Sequence, residues 1–219
     1  MSPDVDGPVL RVLGPADRRS AVDVAGRSFD GNRFYESALG LGADGFGAYW
    51  EEFFRLALGS RHARVYGIED RRGLRGMIVA AFKEFPEPER AARFLAALWR
   101  RIGTRRCLRY FRFVHAYDRA MRGVERNRSR EARCLWLMVA PGAGRRLGPA
   151  LVREVRAALG REGMITATGF INAGDPRIVA FYRRLGFTVG SPFPFRGGHG
   201  ATIEIPTGPE PRIDEAAPC

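Results

Sequence analysis

The chain has 219 residues, 45% of them apolar, and a formal charge of +12. That length and apolar content suit one domain with a sizeable core and argue against a disordered chain; no stretch approaches the roughly 20 uninterrupted apolar residues of a membrane helix. The charge does not by itself point to nucleic acid, because Lys83 is the only lysine and the arginines are spread along the chain without a polybasic block.

Val9 to Leu13 predicts a short strand closed by Gly14-Pro15, and 15–29 predicts a helix with Ala21, Val22, Val24, Ala25 and Phe29 on its apolar face. Gly40, Gly42 and Gly45 mark a loop. A second helix follows over 46–58, its aromatic stripe spaced for one buried face. Residues 64–69 and 75–82 read as strands joined by the turn Asp70-Arg71-Arg72-Gly73. Two helices are expected over 89–103 and 104–122, then a polar loop over 123–131. Arg133 to Val139 is a buried strand, 141–148 a glycine-rich turn carrying arginine, and 149–159 a helix with Pro149 in its first turn. A strand over 164–171 precedes a helix opened by Asp175 as N-cap and Pro176 at N1, which stops at Gly186. Two last strands, 187–189 and 201–205, flank a loop rich in Pro and Gly. The order predicts an α/β fold with a mixed, mostly antiparallel sheet flanked by helices and a helical insert before the strand at 133. One domain over 1–206 is expected, with the insert at about 83–130 and a disordered tail over 207–219.

Cys107, Cys134 and Cys219 form no disulfide or metal-spacing pattern, and His62, His115 and His199 lie far apart, so no metal is expected. The first thirteen residues carry Asp4, Asp6 and Pro8 and no apolar signal core, so a cytoplasmic protein is expected.

Two segments carry chemistry. In the first, Leu135 to Gly148, a strand enters a glycine turn that opens a helix. Glycines permit close backbone approach to an anion, a helix N-terminus offers unsatisfied donors, and Arg145 and Arg146 add full charges. A pyrophosphate suits that arrangement, although many such joints carry glycine only for packing. The P-loop ending is absent, and the glycine spacing is not that of the dinucleotide fingerprint. The second segment runs from Asp175 to Phe187.

Together the two segments resemble the GNAT superfamily of N-acetyltransferases. Leu137, Val139 and Pro141 match the end of that family's strand before its acyl-coenzyme A loop; Tyr182, Leu185, Gly186 and Phe187 match the end of its late helix. The likeness covers 133–205 well and 9–82 in element order. Two positions depart from the family loop: Ala143 replaces its polar first residue and Arg146 its middle glycine, so Arg146 needs a backbone conformation that accepts a Cβ.

The resemblance implies transfer of an acetyl or other acyl group from an acyl-coenzyme A co-substrate to an amine by direct attack. Tyr182 would be the general acid for the departing thiolate. Main-chain groups of Met138 and Val139 would polarise the thioester carbonyl and pair with the pantetheine arm. Gly144, Arg145, Arg146 and Gly148 would hold the pyrophosphate, and Asn172 would supply the cofactor-contacting amide where the family position carries Asp175. The general base is not readable; Glu131 is the candidate, with His115 and Tyr117 as further groups near the acceptor. The insert resembles those of GNAT members that acylate small molecules, so a small-molecule amine is the expected partner, rather than nucleic acid or membrane. Packing or homodimer formation is the plainer use of the insert. Two other readings stay open, a non-catalytic coenzyme A-binding or partner-binding protein and a peptide or protein N-acyltransferase.

Overall fold

The turn at 70–73 sets the first hairpin: Asp70 accepts a hydrogen bond from the Arg72 main-chain N–H at 2.7 Å, and Gly73 takes φ of 91°, which favours glycine. In the computed structural model, which describes residues 8–124, 130–195 and 198–207, that hairpin joins β2 (Ala63–Asp70) to β3 (Gly73–Ala81). Before it come β1 (Val9–Val12), α1 (Arg18–Phe29), α2 (Arg33–Leu39) and α3 (Gly42–Ala57). After it come α4 (Pro88–Arg122), β4 (Glu131–Val139), α5 (Leu147–Arg161), β5 (Thr166–Asn172), α6 (Pro176–Arg184), β6 (Thr188–Val189), β7 (Phe193–Phe195) and β8 (Gly198–Pro206).

The strands form one sheet in the order β1-β2-β3-β4-β5-β8-β6, with β7 also paired to β8. Every pairing is antiparallel except β4 with β5. One face carries α1, α3 and α4 over Val65, Met77, Val79, Trp136 and Met138. The other carries α5 over Tyr66, Ile78, Ala80 and Leu137. The period-2 alternation of β3 and β4 therefore feeds two cores at once. Gly76 lets α5 dock: a Cβ there would lie 3.0 Å from the Met138 carbonyl oxygen and 3.3 Å from Leu147.

Two expectations need correction. Only Gly40 breaks the chain near 40–45, as the left-handed cap of α2, which periodicity did not reveal. Gly42 and Gly45 lie inside α3, and a Cβ on Gly45 would sit 3.2 Å from Leu41 and 3.6 Å from Ile102, so that glycine serves close packing rather than a loop. The stretch 190–200 is not all loop, since β7 and the start of β8 pair within it. The insert carries the two helices expected, α4 being broken at Gly103 by φ of 77° and ψ of 167°. Residues 125–129 of the polar loop and 208–219 of the tail lie outside the described residues.

Candidate functional site

Strands β4 and β5 pair over only four residues each, Glu131–Cys134 with Thr166–Gly169. Beyond Cys134, β4 stays with β3, while β5 continues with β8 as far as Asn172. The sheet therefore splays. At the fork the register of β3 against β4 slips: Val79 faces Trp136 but Ala80 faces Cys134, so Leu135 is the extra residue of a bulge. The bulge turns Leu135 and Trp136 toward the same face, with Cys134 and Leu137 on the other. The wedge holds a cavity of about 370 Å³ whose walls include Leu137, Val139, Val152 and Val155 on one side, and Ile171, Ile178 and Tyr182 on the other.

The ladder decides which main-chain groups face the wedge. The Ala140 N–H donates to the Arg75 carbonyl at 2.8 Å. Antiparallel ladders alternate, so Met138, opposite Met77, also directs its main chain to β3, while Val139 and Leu137 direct theirs to the wedge. Of the two residues expected to offer main-chain groups, Val139 directs its own into the wedge, whereas Met138 has its side chain buried in the core on the α1 face and its main chain turned to β3; Leu137 faces the wedge beside Val139.

At the mouth of the wedge lies the glycine turn. Gly142 and Gly144 take φ of 75° and 90°, and the Gly142 carbonyl accepts from the Arg75 guanidinium at 3.2 Å. Arg146 caps α5 with φ −85°, ψ −17°, an ordinary helical conformation, so its Cβ costs nothing. The helix begins at Leu147, and Pro149 falls at its third position, where a missing N–H is still tolerated. Among the described residues, the main-chain N–H groups of Gly144, Arg145, Arg146 and Gly148 find no acceptor. Arg145 and Arg146 are exposed. Donors, a helix N-terminus and two cations thus converge at one end of an apolar slot, a fit to a pyrophosphate bearing an apolar arm. Asn172 joins them less directly: its Oδ1 accepts from the Gly174 N–H at 2.9 Å, shaping the turn before α6. Asp175 caps α6, accepting from the Arg177 N–H at 2.9 Å.

Tyr182 reaches the wedge because α6 places Ile178, Phe181 and Tyr182 on one face. Its ring is held edge-on by Phe187 at 5.1 Å and Phe181 at 5.2 Å. Its hydroxyl makes no hydrogen bond with any described residue. Burial, reinforced by Tyr35 and Cys134, raises its pKa well above the usual phenol value, so it stays protonated. Burial also pushes the Cys134 thiol up to about 12, which leaves that cysteine an inert wall rather than a nucleophile.

A second cavity, about 580 Å³, lies on the α3–α4 side of the sheet. Glu131, Tyr117 and Asp118 line it; His115 does not and is exposed on α4. Glu131 is only 9% exposed. Asp118 is bound by Arg133 at 2.9 Å, and that guanidinium also lies 5.4 Å from the Tyr117 ring centre. Tyr182 and Glu131 therefore border different cavities. The two cavities share Tyr35, Leu135, Trp136 and Phe170 as walls, so they meet at the bulge.

Tyr35 was missed by sequence reading. It projects from α2 against Trp136, 5.2 Å between ring centres, and against Phe29 at 5.3 Å. The signal was present as Asn32 before and Gly40 after a seven-residue stretch: the Asn32 side chain accepts from the Tyr35 N–H at 3.4 Å. A helix that short shows too few turns for periodicity.

No protein-family profile and no curated protein sequence matches this chain. Solved structures do. The histone acetyltransferase HPA2 and related acetyltransferase of Corynebacterium glutamicum superposes with a TM-score of 0.59 at 17% identity, over 94% of this chain and 99% of that one. The spermidine N-acetyltransferase of Vibrio cholerae, solved with coenzyme A and spermine, gives 0.55 at 13% identity over 91% and 95%. The PaiA N-acetyltransferase of Thermoplasma acidophilum, solved with coenzyme A, gives 0.54 at 13% over 91% and 99%. The chain has the GNAT fold. The splay, the bulge and the glycine turn lie within that fold, with α4 between β3 and β4.

Proposed function

We propose that the protein is an N-acyltransferase that moves an acetyl or other acyl group from an acyl-coenzyme A to the primary amine of a small molecule. The observation that carries this reading is the meeting of two cavities at the β4 bulge, one bordered beyond Val139 by a phosphate-type loop and the other lined largely by aromatic rings. An acyl-coenzyme A supplies an activated thioester carbonyl; the amine lone pair forms the new C–N bond as the C–S bond breaks.

The chain's residues have separate tasks. Gly144, Arg145, Arg146 and Gly148 bind the pyrophosphate through main-chain donors and positive charge. The main-chain groups of Leu137 and Val139 pair with the pantetheine arm, and an N–H on this edge stabilises the charge that develops on the carbonyl oxygen. The apolar walls of the wedge exclude water. Tyr182 Oη holds the proton delivered to the leaving sulfur. Its raised pKa keeps that proton in place until the thiolate, which the same apolar walls destabilise, takes it. Glu131, at the wall of the aromatic cavity, is the group proposed to take the proton of the amine, directly or through water.

Release of free thiol on mixing the protein with acetyl-coenzyme A and a panel of primary amines tests the proposal. Amine-dependent thiol release is expected. Coenzyme A binding without release for any amine or acyl chain would leave a binding protein instead.

A further inference from the structure

We propose that the aromatic cavity selects a monoamine with a bulky aromatic or branched apolar body and rejects polyamines. The inference rests on the acyltransferase reading above, since it names the acceptor of that site.

Half of the residues that line the 580 Å³ cavity are Phe, Tyr or Trp. Its volume is that of a pocket for a drug-sized molecule. The rings are arranged as faces as well as edges: Tyr49 stacks on Phe53 at 5.5 Å, and Phe113 on Tyr117 at 6.1 Å. An amine placed at the junction formed by Tyr35, Leu135, Trp136 and Phe170 must extend its body between those faces.

The charges of the wall point the same way. It holds three cations, Lys83, Arg122 and Arg133, against two carboxylates, Asp118 and Glu131. Asp118 is engaged by Arg133 at 2.9 Å. Two carboxylates outnumbered by three cations cannot serve the several ammonium groups of a polyamine, and burying an unpaired cation is costly. A monoamine carries a single charge. The apolar surroundings lower its pKa and favour the neutral, nucleophilic form.

The measurement is calorimetric binding of 2-phenylethylamine, propylamine and spermidine to the full chain saturated with coenzyme A, followed by thiol release with each amine and acetyl-coenzyme A. Buried methylene equivalents are worth about fourfold each, so 2-phenylethylamine should bind at least about 30-fold more tightly than propylamine. Its kcat/KM should exceed that of spermidine by about 100-fold. Val114 lines the cavity from α4. Val114→Trp should erase most of the preference for the bulky amine while coenzyme A affinity and the melting temperature change little. Equal or better binding and turnover of spermidine overturns the selectivity and leaves acyl transfer standing. Tight 2-phenylethylamine binding with no thiol release overturns its role as acceptor, while the acyltransferase reading falls only if no amine releases thiol. An unchanged preference in a folded Val114→Trp variant refutes the location.

Discussion

Replacing Tyr182 by Phe isolates one atom. The ring keeps its edge contacts with Phe181 and Phe187 at 5.2 and 5.1 Å, and the hydroxyl has no described hydrogen-bond partner to lose. Stability should therefore move by no more than about 0.5 kcal/mol, or roughly 2 °C in melting temperature. Catalysis should suffer far more. Loss of a general acid is expected to lower kcat about 100- to 1000-fold, roughly 2.7–4 kcal/mol of barrier. Coenzyme A affinity should hold, because the loop residues that grip the pyrophosphate are untouched. The pH profile sharpens the test. Burial holds the phenol protonated well past its usual range, so wild-type kcat should show no alkaline decline from Tyr182 below about pH 10. Steady-state thiol release, calorimetry and a thermal melt on the same preparation provide the three readouts. Wild-type turnover in Tyr182→Phe, or a loss of activity matched by an equal loss of coenzyme A affinity, would refute the assignment.

Other perturbations separate the parts of the account. Arg145→Ala, at an exposed position beside the N-terminus of α5, should raise the coenzyme A Kd about tenfold, roughly 1.4 kcal/mol, and leave kcat at saturation unchanged; unchanged affinity in calorimetry removes the phosphate role. Trp136→Ala should destabilise the fold by roughly 3–5 kcal/mol, about 6–20 °C in melting temperature, because its ring packs against Trp50, Phe29 and Tyr35 at 5.0–5.2 Å; a melt within 2 °C of wild type contradicts that packing. The Asp17 carboxyl, hydrogen-bonded by the Arg11 guanidinium at 2.6 and 2.9 Å, is held down at about 2. A folded-state pKa below the unfolded one stabilises the fold above about pH 4, and that contribution is lost as pH falls toward 2. Urea midpoints should therefore drop over this window by less in Asp17→Asn than in wild type; parallel curves would contradict the linkage.

Sequence alone revealed those parts of the fold where local chemistry and periodicity agree. The Asp175-Pro176 start of α6, the turn at 70–73 and the break at Gly103 each rest on one residue's conformational preference, and each lies where expected. What stayed hidden depends on partners distant in sequence. The bulge at Leu135 exists only in the register of β4 against β3. The splay arises because β5 follows β8 after Gly169, and no periodicity within β4 records it. Gly45 reads as a loop residue in sequence but lies inside α3, facing Ile102 on α4. At the site, the sequence does not record the direction of each main-chain group: the β3–β4 ladder turns Met138 to β3 and Leu137 and Val139 to the wedge. The aromatic stripe of α3 reads as core by its spacing, and Trp50 and Phe54 are core. Tyr49 and Phe53 share that stripe yet also form cavity wall, a distinction that depends on where α4 leaves space.

The central claim is that the wedge between β4 and β5 holds an acyl-coenzyme A by its pyrophosphate and its arm. Calorimetric titration of the purified protein with acetyl-coenzyme A tests it most directly. The account predicts saturable binding at one site per chain with a micromolar Kd, weakened by Arg145→Ala and unaffected by Tyr182→Phe. No binding of acetyl-coenzyme A or of longer acyl thioesters by the folded chain would contradict it.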